Sequence, residues 1–243
     1  MNDVKGITEN EQKMVKAIQT AVGARADGYI GEQTMTDIAV KVGADCWPLT
    51  MEIYDMPVII GRDIVACNPK APCSWYTNCL SGSFSYNQAP CSILVNSGKM
   101  IGGSACHAFN NQPESVLYRL YDGSFGIKRC LYSTELPENT KWAIGGLGLL
   151  DMYDPEEEGF TGAYSDVLRD TNHTVLGMKN NMCYLIYCKS MTGAQVNAFC
   201  KDKMKLEMAI MLDGGHVAAI NGTEDFSKIN TSQTQYYLIQ AVK

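Results

Sequence analysis

The stretch Met208-Ala209-Ile210-Met211-Leu212-Asp213-Gly214-Gly215-His216 joins an apolar run directly to an acid and two glycines. The apolar run predicts a buried strand, and strand ends commonly open into clefts. Because glycine lets the backbone approach a ligand closely, the stretch places a carboxylate beside accessible backbone amides. An Asp-Gly turn between two strands has the same residues. Taken alone the stretch favours the turn, so its surroundings decide between turn and ligand site.

The segments around this stretch alternate short apolar runs with turn residues, as expected for a sheet built from hairpins. Three hairpin turns are predicted, at Asn96-Ser97-Gly98-Lys99, at Asp122-Gly123 and at Asn180-Asn181. Each follows an apolar run, and Asp-Gly supplies the positive φ angles of tight turns. One long helix is predicted over Thr192–Lys205 from its apolar spacing. The predicted class is α+β, with a mixed, largely antiparallel sheet, few helices and a small N-terminal helical module. The predicted strands are 92–95, 116–121, 125–128, 142–146, 174–178, 182–188, 208–212, 217–220 and 236–242.

Changes in residue composition and in the spacing of apolar residues divide the chain into three parts. Residues 1–44 are predicted as the helical module, with Thr8 and Glu11 spaced as a capping box and Gly43 as the end of the second helix. Residues 45–75 contain four prolines and are predicted as a connector with one strand near Val58-Ile59-Ile60. Residues 76–243 are predicted as the main domain.

Composition excludes several classes of protein. Hydrophobic residues make up 46% of the 243 positions and charged residues 19%, so a packed core is expected. The net charge of −6 argues against binding to nucleic-acid polymers or anionic membranes. The polar N-terminus resembles no signal peptide, which predicts cytoplasmic synthesis. The ten cysteines form no C-x-x-C pair, so free thiols in the core are expected, with neither metal nor cofactor.

The N-terminal module carries a moderately specific motif. Asp27, Gly28, Gly31 and Thr34 form the pattern D-G-x-x-G-x-x-T, which follows Ile18-Gln19 at the end of a predicted helix. This segment resembles the peptidoglycan-binding three-helix domain of cell-wall hydrolases. The resemblance implies a wall-binding module, although no clear third helix follows. A helical hairpin that packs on the main domain and binds nothing accounts for the same residues.

The order of motifs in residues 76–243 resembles the phosphodiester glycosidase domain, which is that of the lysosomal uncovering enzyme. The resemblance rests on Leu212-Asp213-Gly214-Gly215, on His173-Thr174-Val175-Leu176-Gly177 and on the turn Thr192-Gly193. Members of that family remove N-acetylglucosamine or a similar sugar from a phosphodiester. The resemblance implies that this chain takes a small phosphorylated sugar or nucleotide ligand.

The match to the family pattern is uneven. His216 stands where the family has a third glycine, and no serine follows it. His173 replaces an arginine, for which Arg169 is a candidate substitute. The strand through Tyr184–Cys188 lacks the family's terminal Asp-Gly, and Asn78 is a weak match to an early Asn-Gly-x-Phe element, with Ser81-Gly82-Ser83-Phe84 close by.

The chemistry of glycosyl transfer assigns roles to these residues. Cleavage at an anomeric carbon builds positive charge on the sugar ring, so a carboxylate such as Asp213 would stabilise the transition state. A histidine, His216 or His173, would act as the acid because imidazole titrates near neutral pH. A lone histidine is more often structural than catalytic, so each of them also fits a structural role. The expected substrate-binding groups are the amides of Gly214 and Gly215, the Arg169 guanidinium, and the side chains of Thr174, Asn78 and Thr192.

Three functions therefore stay open. The first is a phage or bacterial protein that binds a glycosyl phosphodiester, such as a cell-wall component, and hydrolyses it if the altered motif is competent. Such a protein would be released at lysis or carried on a phage particle. The second is a non-catalytic intracellular binder that sequesters a phosphorylated sugar or nucleotide signal. A structural phage component without a free ligand is a third reading.

Overall fold

A computed structural model describes residues 9–29, 31, 34–35, 37, 47–67, 70–82, 84–86, 89–232, 234–235 and 237–243. The chain divides into two compact units, Met1–Trp47 with Lys243, and Pro48–Val242. The strands of the first half of the chain are β1 (Leu49–Ile53), β2 (Met56–Gly61), β3 (Asp63–Cys67), β4 (Ala71–Pro72), β5 (Cys79–Ser81), β6 (Ser85–Tyr86), β7 (Ala89–Pro90), β8 (Leu94–Asn96), β9 (Lys99–Gly102) and β10 (Glu114–Leu120). Those of the second half are β11 (Phe125–Cys130), β12 (Thr140–Gly148), β13 (Thr171–Lys179), β14 (Met182–Met191), β15 (Met208–Gly214), β16 (Ile220–Asn221), β17 (Lys228–Ile229), β18 (Thr234–Gln235) and β19 (Leu238–Val242).

The N-terminal unit contains helix α1 (Glu9–Val22). Gln19 near its end is fully buried, and its Nε2 lies within hydrogen-bond distance, at 2.7–2.9 Å, of Asp27 Oδ1, the Tyr29 carbonyl and Thr34 Oγ1. The Gly28 amide donates back to Gln19 Oε1 at 2.8 Å. The polar residues of the D-G-x-x-G-x-x-T motif therefore hold a turn against α1. The predicted capping box and most of the second helix lie outside the described residues.

The larger sheet places the motif strand β15 near its middle. Its strand order is β1-β2-β14-β13-β15-β12-β10-β11, and β8 and β9 extend it from β12. Every pairing in it is antiparallel, and β15 pairs with both β13 and β12. The hairpins predicted at Ser97, Asp122-Gly123 and Asn180-Asn181 are confirmed by these pairings.

The predicted connector over residues 45–75 needs correction. Strands β1 and β2 form a hairpin at the edge of the larger sheet, and β2 pairs with β14. Strand β3 pairs with β19 in the smaller sheet. Most of this segment therefore belongs to the main domain, and only the strand near Val58-Ile59-Ile60 was expected.

A smaller sheet covers one face of the larger one. Its strand order is β17-β16-β5-β19-β3. Buried side chains of both sheets form one apolar core, for example Ile59, Leu176 and Ile210 from the larger sheet and Leu80 and Ile239 from the smaller. The α+β class with a largely antiparallel sheet follows from this packing.

The helix predicted over Thr192–Lys205 is present but changes type along its length. Helix α2 (Gly193–Ala198) continues as a π-helix over Phe199–Met204, and Lys205 ends it in the left-handed region at φ 52°. Its buried face is Val196, Phe199, Cys200 and Met204, as the apolar spacing predicts. No helix in the described part of the chain is long and apolar enough to cross a bilayer.

None of the eight cysteines whose side chains the structure describes forms a disulfide, and most of them are buried. Six of the described cysteines lie in the core, and Cys91 and Cys106 are partly accessible. Burial raises the pKa of the Cys130 thiol to about 11 and that of Cys188 to about 12, so both stay protonated. The use of cysteine as a small core hydrophobe matches the expectation from sequence.

Candidate functional site

The carboxyl of Asp213 lies in a cavity at the end of β15. Its Oδ1 accepts a hydrogen bond from the Gly214 amide at 2.9 Å. Burial raises the pKa of this carboxyl to about 6, although the Gly214 hydrogen bond and the nearby His216 lower it. Asp166, on a neighbouring 3-10 helix over Gly162–Leu168, contributes to the rise through like-charge repulsion. Asp213 therefore titrates close to neutral pH, where a group can exchange protons with a substrate.

The two glycines after Asp213 are required by backbone geometry. Gly215 has φ +64°, a conformation that side-chain-bearing residues rarely adopt. A Cβ on Gly214 would lie only 2.8 Å from the Asn172 carbonyl oxygen. The expected pair of free amides is altered, however, because the Gly214 N–H already donates to Asp213. Gly214 therefore orients the carboxylate rather than offering its N–H to a phosphate.

His173 and Thr174 on β13 hold the end of β15 from the adjacent strand. His173 is buried, pairs with Gly214 in the strand register, and its Nε2–H donates to the carbonyl oxygens of Met191 (2.7 Å) and Arg169 (3.2 Å). Burial lowers the pKa of this imidazole, so it stays neutral. The Thr174 hydroxyl donates to the Asp213 carbonyl oxygen at 2.6 Å. These contacts favour a positioning role for both residues.

Two basic groups line the same cavity. Arg169 is exposed, and its Nη2 lies 3.4 Å from the position that a Cβ of Gly215 would occupy. Among the residues that the structure describes, Arg169 makes no ion pair. His216 is also exposed, in the single 3-10 turn Gly215–Val217 that follows β15. A guanidinium without a carboxylate partner is suited to bind phosphate oxygens.

The cavity has a volume of about 340 Å³ and draws its walls from both sheets. The smaller sheet contributes Gly82, which follows β5, and Tyr237, which precedes β19. Gly82 connects the walls from the two sheets through two hydrogen bonds. Its N–H donates to the Tyr237 carbonyl at 2.9 Å, and its own carbonyl accepts from the Asp213 amide at 3.4 Å. The volume lies in the range of small-molecule sites.

The structure brings together six of the residues singled out in the sequence. The cavity is lined by Asp213, Gly214, Gly215, His216, His173 and Arg169. Thr174 lies directly behind it. Thr192 lies elsewhere as the N-cap of α2, where its Oγ1 accepts from the Gln195 amide at 3.3 Å.

Asn78 also lies away from the cavity. It precedes β5, whereas Gly82, at the other end of that strand, reaches the cavity. This part of the chain therefore contributes Gly82 and Ser85 to the cavity rather than Asn78. Sequence reasoning missed Asp166, Thr171, Gln235 and Tyr237 as lining residues, and none of them belongs to a motif that marks them.

Comparison with solved structures identifies the fold. The catalytic domain of zebrafish N-acetylglucosamine-1-phosphodiester alpha-N-acetylglucosaminidase, auto-inhibited by its pro-peptide, matches with a TM-score of 0.53 and 13% identity, over 81% of this chain and 82% of that one. The two chains share a fold. A hypothetical protein from Synechocystis matches with a TM-score of 0.50 and 10% identity, over 79% of this chain and 61% of that one. No family model and no curated sequence matches this chain.

Proposed function

We propose that this chain binds a glycosyl phosphodiester in the Asp213 cavity and hydrolyses the bond between the anomeric carbon and the phosphate. The observation that carries the proposal is the partly desolvated Asp213 carboxyl in a cavity of substrate size, which is also lined by Arg169, a guanidinium that makes no ion pair with the residues the structure describes. The fold shared with a phosphodiester glycosidase catalytic domain supports it.

The reaction needs a group that favours positive charge on the sugar and a group that favours negative charge on the phosphate. Water adds to the anomeric carbon while the bond from that carbon to the phosphate oxygen breaks, and the electron pair leaves with the phosphate. Asp213 as a carboxylate stabilises the oxocarbenium-like ring and accepts a proton from the attacking water. Arg169 binds the phosphate oxygens as their charge grows.

The leaving group reduces the demand for an acid. A phosphate leaves as a stable anion, so the reaction needs less proton donation than the departure of a sugar alkoxide. His216, exposed at the cavity mouth, is the candidate to protonate the product. His173 is less suited, because its Nε2–H is engaged by two backbone carbonyls and its pKa is lowered.

Binding without turnover is the second candidate. It is favoured by the strand β14, which ends in Cys188-Lys189-Ser190-Met191 and so supplies no carboxylate to this site. Asp213 and Asp166 are the carboxylates that line the cavity among the described residues. Such a protein would hold a sugar phosphate or nucleotide by the same Arg169 contact.

The test is release of free sugar from UDP-N-acetylglucosamine by the parent chain, by Asp213→Asn and by Asp225→Asn. Asp225 is an exposed acid paired with Lys228 at 2.9 Å and serves as the matched control. We expect the parent and the control to release N-acetylglucosamine at the same rate, and Asp213→Asn to be slower by about 100-fold or more. Equal rates for Asp213→Asn would remove Asp213 from the mechanism. Tight binding without release would establish the second candidate.

A further inference from the structure

A second cavity adjoins the Asp213 cavity, and its walls are mainly aromatic. Its volume is about 460 Å³, and it shares the lining residues Asp166 and Val167 with the first. Phe84, His107, Phe109, Phe160 and Tyr164 form the rest of its wall together with Cys91 and Cys106. The proposed hydrolysis uses none of these side chains.

The rings of this aromatic cavity are held against one another. The His107 ring centroid lies 4.6 Å from that of Tyr164 and 5.0 Å from that of Phe160. The Phe160 ring in turn lies 5.6 Å from Phe84. Phe109 and Tyr164 are 73% and 47% exposed, so two rings remain open to a ligand. Exposed aromatic rings at the mouth of a cavity whose other rings are buried are typical of a binding surface.

Two buried glutamates fix the backbone behind the rings. The side-chain carboxyl of Glu158 accepts hydrogen bonds from Ser115 and from the Gly148 amide. The backbone carbonyl oxygen of Glu158 accepts a hydrogen bond from the His107 Nδ1–H at 2.9 Å. Glu114 accepts the Cys106 amide at 3.2 Å. With Nδ1 of His107 as the donor, Nε2 is the hydrogen-bond acceptor of that tautomer. The cavity therefore combines preorganised rings with one acceptor nitrogen.

We propose that the aromatic cavity binds the base of a nucleotide whose phosphate lies at Arg169, so that the substrate class is a nucleoside-bearing phosphodiester of a sugar. This proposal rests on the proposed function. The order of groups across the two cavities fits such a ligand, with Arg169 at the phosphate, Asp166 at the shared wall and the rings beyond it. A carboxylate in that middle position suits ribose hydroxyls, which donate hydrogen bonds.

The lining favours a flat polar ring over an alkyl chain. Val167 is the one aliphatic side chain on the wall among the described residues, and the other apolar groups are rings and thiols. Aromatic faces stack with nucleobases, and the His107 Nε2 offers an acceptor to a base N–H that an alkyl chain cannot satisfy.

The experiment compares the binding of monophosphate esters, whereas the proposed substrate is a phosphodiester. Calorimetry measures the Kd of uridine 5′-monophosphate, adenosine 5′-monophosphate, N-acetylglucosamine 1-phosphate and n-octyl phosphate for the parent, Tyr164→Ala and Tyr121→Ala. Tyr121 is 61% exposed and lines neither cavity, so it is the matched control. Tyr164→Phe retains the ring and tests whether stacking rather than the hydroxyl matters.

We expect the parent to bind at least one nucleotide about 10-fold more tightly than n-octyl phosphate. Tyr164→Ala should weaken the binding of that nucleotide about 10-fold. Tyr164→Phe and Tyr121→Ala should bind like the parent, and the sugar phosphate should be unaffected by all three. Octyl phosphate binding as tightly as the nucleotides would overturn the proposal, and so would unchanged nucleotide binding by Tyr164→Ala. If the sugar phosphate binds and neither nucleotide does, this inference alone fails. If no ester binds and no sugar is released, the proposed function fails with it.

Discussion

Replacement of Asp213 by asparagine should stabilise the protein at neutral pH and not at acidic pH. Burial raises the pKa of the Asp213 carboxyl from its ordinary 3.8 to about 6. Between about pH 4 and pH 6 the folded chain therefore keeps a proton that the unfolded chain releases. The unfolding free energy of the parent falls as the pH rises through this window and levels off above the folded pKa. Asparagine has no charge to desolvate, and its Oδ1 still accepts from the Gly214 amide.

The magnitude follows from the two pKa values. One pKa unit corresponds to about 1.4 kcal/mol, so moving from 3.8 to about 6 amounts to about 3 kcal/mol of unfolding free energy. Asp213 is partly open to the cavity, where solvent screens its charge, so this value is an upper bound. We therefore expect a full effect of about 1–3 kcal/mol. Glu114, whose pKa burial raises to about 8, titrates in both chains and cancels from their difference.

Urea unfolding at about pH 4.5 and about pH 7.5, followed by tryptophan fluorescence, measures this difference. Trp142 lies in the core, so its fluorescence reports the loss of the packed core on unfolding. The stability of Asp213→Asn minus that of the parent should be about 1–2 kcal/mol larger at the higher pH, because part of the full effect is already present at about pH 4.5. Asp225→Asn should show no such gain, because the Lys228 hydrogen bond lowers the pKa of that exposed carboxyl. A difference between Asp213→Asn and the parent that is independent of pH would refute the reasoning.

Three further substitutions test other parts of the molecule. Arg169→Gln should weaken the binding of N-acetylglucosamine 1-phosphate by about 10-fold, because it removes a charged hydrogen-bond donor; calorimetry measures the affinity. An unchanged affinity would exclude Arg169 from the phosphate site. Thr192→Ala should lower the unfolding free energy by about 1 kcal/mol through loss of the α2 N-cap without altering ligand affinity, and an equal loss of affinity would place Thr192 in the site after all. Glu158→Ala should cost about 3–5 kcal/mol in urea unfolding, since it removes the buried partner of Ser115, Gly148 and Arg129, and a cost below about 1 kcal/mol would mean that these donors find other partners.

The hairpins could be predicted from sequence because their turns have local causes. Asn180 and Asn181 adopt φ values of 51° and 61°, and Ser97 and Gly98 adopt 50° and 73°. Two consecutive positive φ angles match the twist of antiparallel strands, and asparagine and glycine tolerate them. The same logic located β15 and Asp213, because an apolar run that ends in Asp-Gly-Gly is visible without any knowledge of the fold.

The strands of the predicted connector were hidden by proline. Pro57 lies inside β2, opposite Glu52 of β1, but β14 pairs with β2 only from Val58 onward. Proline is tolerated at that position because no ladder hydrogen bond to β14 needs its missing N–H. Local composition cannot reveal which side of a strand lacks a partner. The prolines therefore indicated a connector with one strand in a segment where four strands, β1 to β4, form.

Half of the cavity wall could not be predicted for a related reason. Gly82 and Tyr237 reach Asp213 because β5 and β19 pair with each other in a second sheet that covers the first. Long-range pairing of this kind leaves no local pattern in the sequence. The weak motif match therefore selected Asn78, at the wrong end of β5, although the Gly82 segment lies only a few residues further along.

The bridge that Gly82 makes between Asp213 and Tyr237 has a thermodynamic consequence. A ligand in the cavity contacts walls that belong to two separate sheets, so it binds only while both sheets are docked. Its binding free energy is therefore added to the cohesion of the whole domain, by RT ln(1 + [L]/Kd). At a concentration about 100 times Kd this amounts to about 2.7 kcal/mol. Occupancy of the cavity and integrity of the domain are one coupled equilibrium, and the melting temperature of the domain reports on both.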